Sequence, residues 1–364
     1  MVRIVTVYSP QHRIAGLSDM SYICWFRMSA ALAALGYQVD IATNELPFLF
    51  GGRSIPMAEG LRRIPLRKVR WKEYDVVETL YHQGFETLAS YGGDRHPFII
   101  STLGSVVAPQ DREGILFYGR ERKRLFETQR RIRDCSRYVT VLSAPARELW
   151  QECFGNSDNV LLVPGAVDRE IPPPGPDPYP LGERRRCLFA GNFYGRRAQP
   201  EANRVLVDKF NRLGRLLRER GCRLYVLGPG NTAGLDKQDV SYLGSVPYCR
   251  SWDYLYHAHV GVLLSAGPFM HNNESTKIYH YLRVGLPVVS ESGFPNDRVL
   301  HESRLGFVVE NGDLPQMARK IADAATTDWD REGARRFVLE NHTWDARAAI
   351  FDRLLRDRFA ESRK

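Results

Sequence analysis

A hydroxyl pair, Ser275 and Thr276, stands directly before Lys277 within Asn272–Ser290 (NNESTKIYHYLRVGLPVVS), and a short amphipathic helix follows, stopped by Gly285-Leu286-Pro287. A hydroxyl at a helix start can cap free backbone amides, and the first turn carries the positive end of the helix dipole. Lys277 adds a full positive charge to the same small space. Amides, dipole and ammonium together suit an anion, and a diphosphate is the natural candidate. His280 comes one turn after Thr276 and Lys277, so its ring can point at the same ligand. Asn273 and Glu274 precede the hydroxyls on what should be a loop.

Two further clusters carry comparable chemistry. In Gly191-Asn192-Phe193-Tyr194-Gly195-Arg196-Arg197 the glycines let backbone approach a ligand, and Arg196 and Arg197 can offer charge-assisted, bidentate contacts to phosphate oxygens. Gly228-Pro229-Gly230 follows an apolar run, Leu224–Leu227, and reads as a strand-ending turn that can line a ligand. The stretch Gly228 to Gly234 is one residue too long for a dinucleotide fingerprint.

Positioning these groups requires strands and helices in alternation. Ile4–Tyr8 reads as a first strand, a polar loop and an apolar-periodic helix lead to Gly36, and Tyr37–Ala42 is the next strand, which makes a βαβ unit. Strand-like runs recur at Val76–Thr79, Phe98–Thr102, Tyr138–Leu142 and Val160–Val163, with helical patterns between most of them. Arg169–Gly182 (REIPPPGPDPYPLG) is too rich in proline and glycine to continue either element and marks a linker. Beyond it, strands are expected at Arg186–Ala190, Leu224–Leu227, Val260–Ser265, Pro287–Ser290 and Phe307–Val309. The fold class is α/β, with two doubly wound parallel sheets. Asn272–Thr276 then leaves the carboxyl end of the Val260–Ser265 strand, where open α/β sheets bind ligands.

Composition agrees with two domains: 364 residues, 43% hydrophobic and 26% charged, describe an ordinary globular chain. The amino terminus reads directly as a strand, and no run of eighteen apolar residues occurs, so a cytoplasmic protein is expected. Six cysteines scattered singly, with no Cys-x-x-Cys, suggest neither a disulfide framework nor a zinc site. A net charge of +9 points to an anionic partner, either nucleic acid or lipid headgroups. The excess concentrates in Arg62–Lys72 and Arg120–Arg137, whose interleaved apolar residues suit an element lying on the inner face of a membrane; a solvated basic face is the alternative. Asp328-Trp329-Asp330 has the form of a metal-binding Asp-x-Asp, but its place between carboxyl-terminal helices favours helix capping.

The run Ser-Thr-Lys-Ile-Tyr-His-Tyr-Leu followed by Gly285-Leu286-Pro287-Val288-Val289 resembles the donor-binding signature of GT-B glycosyltransferases, in particular glycosyltransferase family 4 and related bacterial enzymes. The resemblance implies a GT-B fold of two Rossmann-like domains facing an interdomain cleft. It divides the chain into an acceptor-binding domain at 1–168, the linker at 169–183, a nucleotide-sugar donor domain at 184–340 and a returning helix at 341–364. Val163–Asp168 is similar to the Pro-Asn-Gly-Val-Asp that closes the first domain of such enzymes. It further implies that Gly191, Asn192, Arg196 or Arg197, Gly228, Gly230, Ser275, Thr276 and Lys277 surround the donor diphosphate. Backbone near Val246 would read a uracil or guanine edge, and Asn273 and Glu274 would lie near the sugar. His280 occupies the place of the glutamate that grips the donor ribose, Asn272 that of the upstream glutamate, and Leu103 that of a histidine in a His-Gly-Ser turn.

The activity so implied is transfer of a sugar from UDP- or GDP-sugar to a membrane-associated, polysaccharide or glycolipid acceptor, without metal or other cofactor, because lysine, arginine and helix amides neutralise the leaving group. Nucleic acid is then no partner. A base for the acceptor hydroxyl would come from first-domain loops, where His12, Asp19 and Asp111 are the candidates, with Glu113 nearby. A nucleotide-sugar epimerase or hydrolase on the same scaffold, and a non-catalytic nucleotide-sugar-binding protein, are the competing readings.

Overall fold

The computed structural model describes residues 2–8, 20–43, 55–110, 119–182, 185–194, 200–267 and 272–361. The chain divides into two compact units, one running from the amino terminus to Asp168 and resuming at Thr343, the other spanning Arg169–His342.

In the first unit the strands are β1 (Arg3–Val7), β2 (Gln38–Thr43), β3 (Ile55–Ala58), β4 (Leu61–Pro65), β5 (Val76–Leu80), β6 (Ile99–Leu103), β7 (Tyr138–Val141) and β8 (Val160–Leu162). Their order across the sheet is β3-β4-β2-β1-β5-β6-β7-β8. All neighbours run parallel except β3, which pairs antiparallel with β4 at the edge. Helices α1 (Met20–Ala34), α2 (Tyr81–Ser90), α3 (Gly119–Cys135) and α4 (Ala144–Phe154) provide the crossovers. Apolar layers cover both sheet faces. One holds Trp25 and Leu32 of α1 against Ile4, Val39 and Ile100, and the other packs Phe85, Ile132 and Trp150 against Leu103, Val139 and Val141. This two-sided burial is why the strands read as continuous apolar runs.

The basic stretch Arg62–Lys72 is partly an interior feature. Asp40 in β2 is buried, and Arg62 in β4 grips it with Nε donating to Oδ1 at 2.7 Å and a terminal nitrogen to Oδ2 at 2.8 Å, while the Tyr74 hydroxyl donates to Oδ2 at 2.6 Å. Arg67, Lys68, Arg70 and Lys72 remain exposed. In α3 the apolar residues Leu125, Phe126 and Ile132 face the core, and Arg124 and Arg131 pair with Glu86 and Asp94. The apolar residues interleaved in this second stretch therefore serve packing.

Glu78 lies mid-strand in β5, in register with Thr6 of β1 and Ile100 of β6. It is 6% exposed, its Oε2 has no hydrogen-bond partner, and burial pushes its carboxyl up to about 7.

The second unit has strands β9 (Arg185–Ala190), β10 (Cys222–Leu227), β11 (Val240–Tyr242), β12 (Val260–Leu263), β13 (Val288–Glu291) and β14 (Gly306–Val309), ordered β11-β10-β9-β12-β13-β14 and all parallel. The helices are α5 (Pro200–Arg218), α6 (Tyr248–Tyr256), α7 (Thr276–Arg283), α8 (Asp297–Ser303), α9 (Leu314–Ala324) and α10 (Arg331–Asn341). From β9 the chain builds outward to β10 and β11, then crosses to β12 and builds the other way. The strand order thus reverses between β9 and β12, and ligands of open α/β sheets bind in the crevice at such a reversal. Asp330 caps α10 by accepting the Gly333 amide at 2.8 Å, the role expected for the Asp-x-Asp.

The last helix, α11 (Trp344–Glu361), belongs to the first unit. Ala348, Phe351 and Leu355 join the core beneath α1, and Tyr37 donates a 2.8 Å hydrogen bond to Asp352. Arg347 is buried with its guanidinium donating to the Pro164 and Gly165 carbonyls at 2.9–3.1 Å, which ties this helix to the end of the first stretch of the unit. Among the described residues, no helix is long and apolar enough to cross a membrane.

Candidate active site

Three loops leaving carboxyl ends of the second sheet are knitted into one surface. After β9, Gly191 donates its amide to Leu227 O at 2.8 Å, and Phe193 donates to Pro229 O at 2.8 Å. After β10, Gly228 donates to Gly244 O at 2.9 Å, and the Tyr242 hydroxyl donates to Gly228 O at 2.9 Å. Gly228 and Gly230 have φ of +144° and +125°, and a β-carbon on either would strike the backbone of Gly191 or Phe193. Only glycine fits this close approach. Val246 follows on the same stretch and is half-buried, and Asn192 is exposed.

Helix α7 supplies the charge. Its far end is fixed by a two-bond stop around Gly285 (φ +71°), with Gly285 donating to Leu282 O and Leu286 to Tyr281 O, both at 2.9 Å. Its inner face is fixed by Tyr281, whose ring lies over Gly261 of β12 and whose hydroxyl accepts the Ala190 amide at 2.8 Å. Lys277 is one turn before Tyr281 on the same face. Its stem therefore runs across Gly191, where a β-carbon would collide with Cε, and its ammonium stands 5.1 Å from the centre of the Phe189 ring. Among the described residues no carboxylate pairs with it. Loss of surrounding water pushes its pKa from 10.5 down to about 8.

The start of α7 has a second unusual feature. Ser275 is the capping residue and 3% exposed, yet its hydroxyl makes no capping bond and has no hydrogen-bond partner. The Ile278 amide bonds the Ser275 carbonyl instead, at 3.2 Å. Thr276 and Lys277 lie in the first turn, where amides have no partner within the helix. A buried hydroxyl, first-turn amides and an ammonium with no carboxylate partner among the described residues thus stand together at the start of α7, which packs by Lys277 and Tyr281 against β9 and β12.

The neighbouring lysine behaves differently. Lys209 of α5 donates to both oxygens of Glu291 at 2.8 Å, to Ser265 O at 2.9 Å and to Asn311 Oδ1 at 2.9 Å, while Glu291, fully buried, also accepts the Ser265 and Gly312 amides. Every donor of that ammonium is used, so this pair holds strand ends together.

His280 is buried against α6. Its Nδ1 bonds Thr276 O at 2.8 Å, its Nε2 lies 3.0 Å from the Tyr248 hydroxyl, and the ring stacks on Trp252 at 5.3 Å. With Nδ1 donating to a carbonyl, Nε2 of the neutral ring accepts from Tyr248. These contacts pack the ring between α7 and α6. Glu274 accepts the Tyr279 hydroxyl at 3.1 Å, and Asn273 beside it is half-buried. The structure thus brings Gly191, Gly228, Gly230, Ser275, Thr276 and Lys277 together. Arg196, Arg197, His12, Asp19 and Asp111 lie outside the described residues, as does Glu113.

One residue that the sequence did not single out is Asn296. It is 1% exposed, and its side chain accepts the Ser275 amide at 3.0 Å while donating to the Ser275 carbonyl at 2.9 Å. No local pattern announces an asparagine 21 residues downstream of its target.

Residues 184–327 match the family model described as glycosyl transferases group 1. No curated protein sequence matches the chain significantly. Among solved structures, sucrose-phosphate synthase from Thermosynechococcus elongatus is similar over 99% of this chain and 100% of its own, with a TM-score of 0.74 at 16% identity. The Anabaena protein HepE, in complex with UDP and glucose, is similar over 98% and 100%, with a TM-score of 0.68 at 11% identity. WaaG, a glycosyltransferase of lipopolysaccharide biosynthesis, is similar over 96% and 99%, with a TM-score of 0.63 at 14% identity.

Proposed function

We propose that the chain is a glycosyltransferase that moves a sugar from a UDP- or GDP-sugar to a glycan or lipid-linked acceptor; the match of residues 184–327 to the group 1 model and the likeness of its fold to that of solved glycosyltransferases support this reading. The observation that carries this reading is that Lys277 and the buried Ser275 hydroxyl, neither with a polar side-chain partner among the described residues, lie in adjoining positions at the start of the helix that follows β12, where the strand order reverses. The anomeric carbon–oxygen bond of the donor breaks, and its electron pair leaves with the diphosphate. The Lys277 ammonium, the Ser275 hydroxyl and the first-turn amides of α7 stabilise the charge that accumulates there. The acceptor hydroxyl attacks the same carbon to form the new glycosidic bond, and its proton passes to the departing diphosphate. The chemistry proceeds in this reading without a metal, because the cationic groups do the neutralising. A structural relative that holds UDP and glucose makes UDP the first base to try.

The exposed Arg67, Lys68, Arg70 and Lys72, with the arginines of α3, support an acceptor held at an anionic membrane surface, on the cytoplasmic side. The test is incubation of the protein with UDP-, GDP- and TDP-sugars, with and without lipid-linked acceptors. Transfer that is abolished by Lys277→Ala and insensitive to EDTA is expected. Isomerisation, hydrolysis alone, or binding without turnover would reject it. Flotation with anionic vesicles should weaken as salt rises, and flotation indifferent to ionic strength would remove the membrane from the proposal.

A further inference from the structure

Ser275 departs from the ordinary behaviour of a serine at a helix start. Such a hydroxyl normally accepts an amide from the first turn, but here the Ile278 amide turns to the Ser275 carbonyl and the hydroxyl is left without a partner. A buried polar group without a partner costs about 1–3 kcal/mol and asks for an explanation. Asn296 supplies half of it. Its carboxamide satisfies both backbone groups of Ser275, so the residue keeps its extended backbone (φ −91°, ψ 102°) without using its own side chain. Asn296 is itself held in a stiff turn. Asp297 accepts the Gly293 amide at 2.9 Å and the Phe294 amide at 3.1 Å, and this turn follows β13, the strand beside β12.

We propose that the Ser275 hydroxyl is a binding group for a diphosphate oxygen of the donor, and that Asn296 is the positioning residue that holds this hydroxyl free for it. The proposal rests on the donor-site reading, which already gives the hydroxyl to the diphosphate, and adds to it a clamp one strand away. The clamp removes the local capping bond that would otherwise consume the hydroxyl. An anion at the helix start then receives one O–H donor in addition to the Lys277 ammonium and the first-turn amides.

The experiment is a double-mutant cycle read by titration calorimetry with UDP against uridine, and GDP against guanosine, on the full chain. Ser275→Ala and Asn296→Ala should each weaken diphosphate binding about tenfold, the loss expected for one hydrogen bond to a charged group. Both should leave nucleoside affinity unchanged. Ser275→Thr, which keeps a hydroxyl, should bind diphosphate as wild type does. Because Asn296 acts through Ser275, adding Asn296→Ala to Ser275→Ala should cost little more. Losses that multiply, or losses equal for nucleoside and diphosphate, would overturn the clamp while leaving the donor site standing. A wild-type chain that binds neither diphosphate would reject the donor site, and the clamp with it. If Asn296→Ala does not fold, Ser275→Ala and Ser275→Thr still decide whether the hydroxyl binds.

Discussion

The aliphatic stem of Lys277 fills the space that a β-carbon on Gly191 would need. Two residues 86 positions apart thereby share one small volume at the mouth of the second sheet. A β-carbon at 191 would meet the flexible end of the lysine before any backbone, and the glycine's own φ lies outside the left-handed range. Gly191→Ala should therefore push the ammonium off its place over Phe189 and weaken UDP or GDP binding by about 1–3 kcal/mol, the range for hydrogen bonds to charged groups. Calorimetry showing wild-type affinity in that variant would mean that Lys277 does not touch the ligand.

The depressed pKa of Lys277, about 8, gives donor binding a proton signature. A bound diphosphate favours the ammonium form and so raises the pKa of the complex above that of the free protein. Between those two values, binding takes up a proton, and affinity falls by up to about tenfold per unit as pH rises. Titration at pH 8.5 in buffers of different ionisation enthalpy should record uptake approaching one proton. Lys277→Met should abolish it, and equal heats in all buffers for the wild type would contradict the assignment.

Glu78 sets a stability slope in the first unit. Its carboxyl is raised from 4.5 to about 7 by burial, so across that window the folded chain holds a proton that the unfolded chain has released. Its contribution is fully present below pH 4.5 and is lost as pH rises through 7. Glu78→Gln keeps the shape and removes the charge. At pH 8 it should be more stable than wild type by up to about 3 kcal/mol, and its advantage should shrink towards pH 4.5, as read by urea unfolding at several pH values. An unchanged difference across that range would show that Glu78 does not titrate there.

Lys209 and Glu291 should matter for folding and not for nucleotide recognition. Removing one partner leaves a buried charge uncompensated, at a cost of about 3–5 kcal/mol. Lys209→Met and Glu291→Gln should therefore each lower the unfolding midpoint strongly, and the double variant should recover part of the loss. At a temperature where the single variants remain folded, their UDP affinity should match the wild type. A selective loss of nucleotide affinity in a fully folded Lys209→Met would place this lysine in the site after all.

Much of the architecture was legible because the governing signals are local. Apolar runs of strand length, Gly36 and Gly285 at helix ends, and the proline-rich stretch from Arg169 located nearly every parallel strand and the change of unit. The strand Leu61–Pro65 escaped because two of its five residues are arginines, and Arg62 reads as surface until Asp40 is known to lie beside it. The short strand Val240–Tyr242 escaped for want of length. At the site, Lys277, Ser275 and the glycines could be found because helix starts and strand-ending turns have sequence signatures. His280 could not be oriented, since spacing gives the face of a helix but not the neighbour, and Tyr248 and Trp252 come from α6. Asn296 was invisible for the same reason: its partner is distant in the chain.

The placement of α11 fixes an order of events during synthesis. Phe351 and Leu355 complete the apolar layer over α1, yet they are made only after the whole second unit. A nascent chain on the ribosome must carry the first unit with the α11 part of this layer missing while some 170 further residues emerge. A fragment stopped at Asp168 should keep that gap permanently and aggregate, whereas Arg169–His342 leaves no such gap behind when excised.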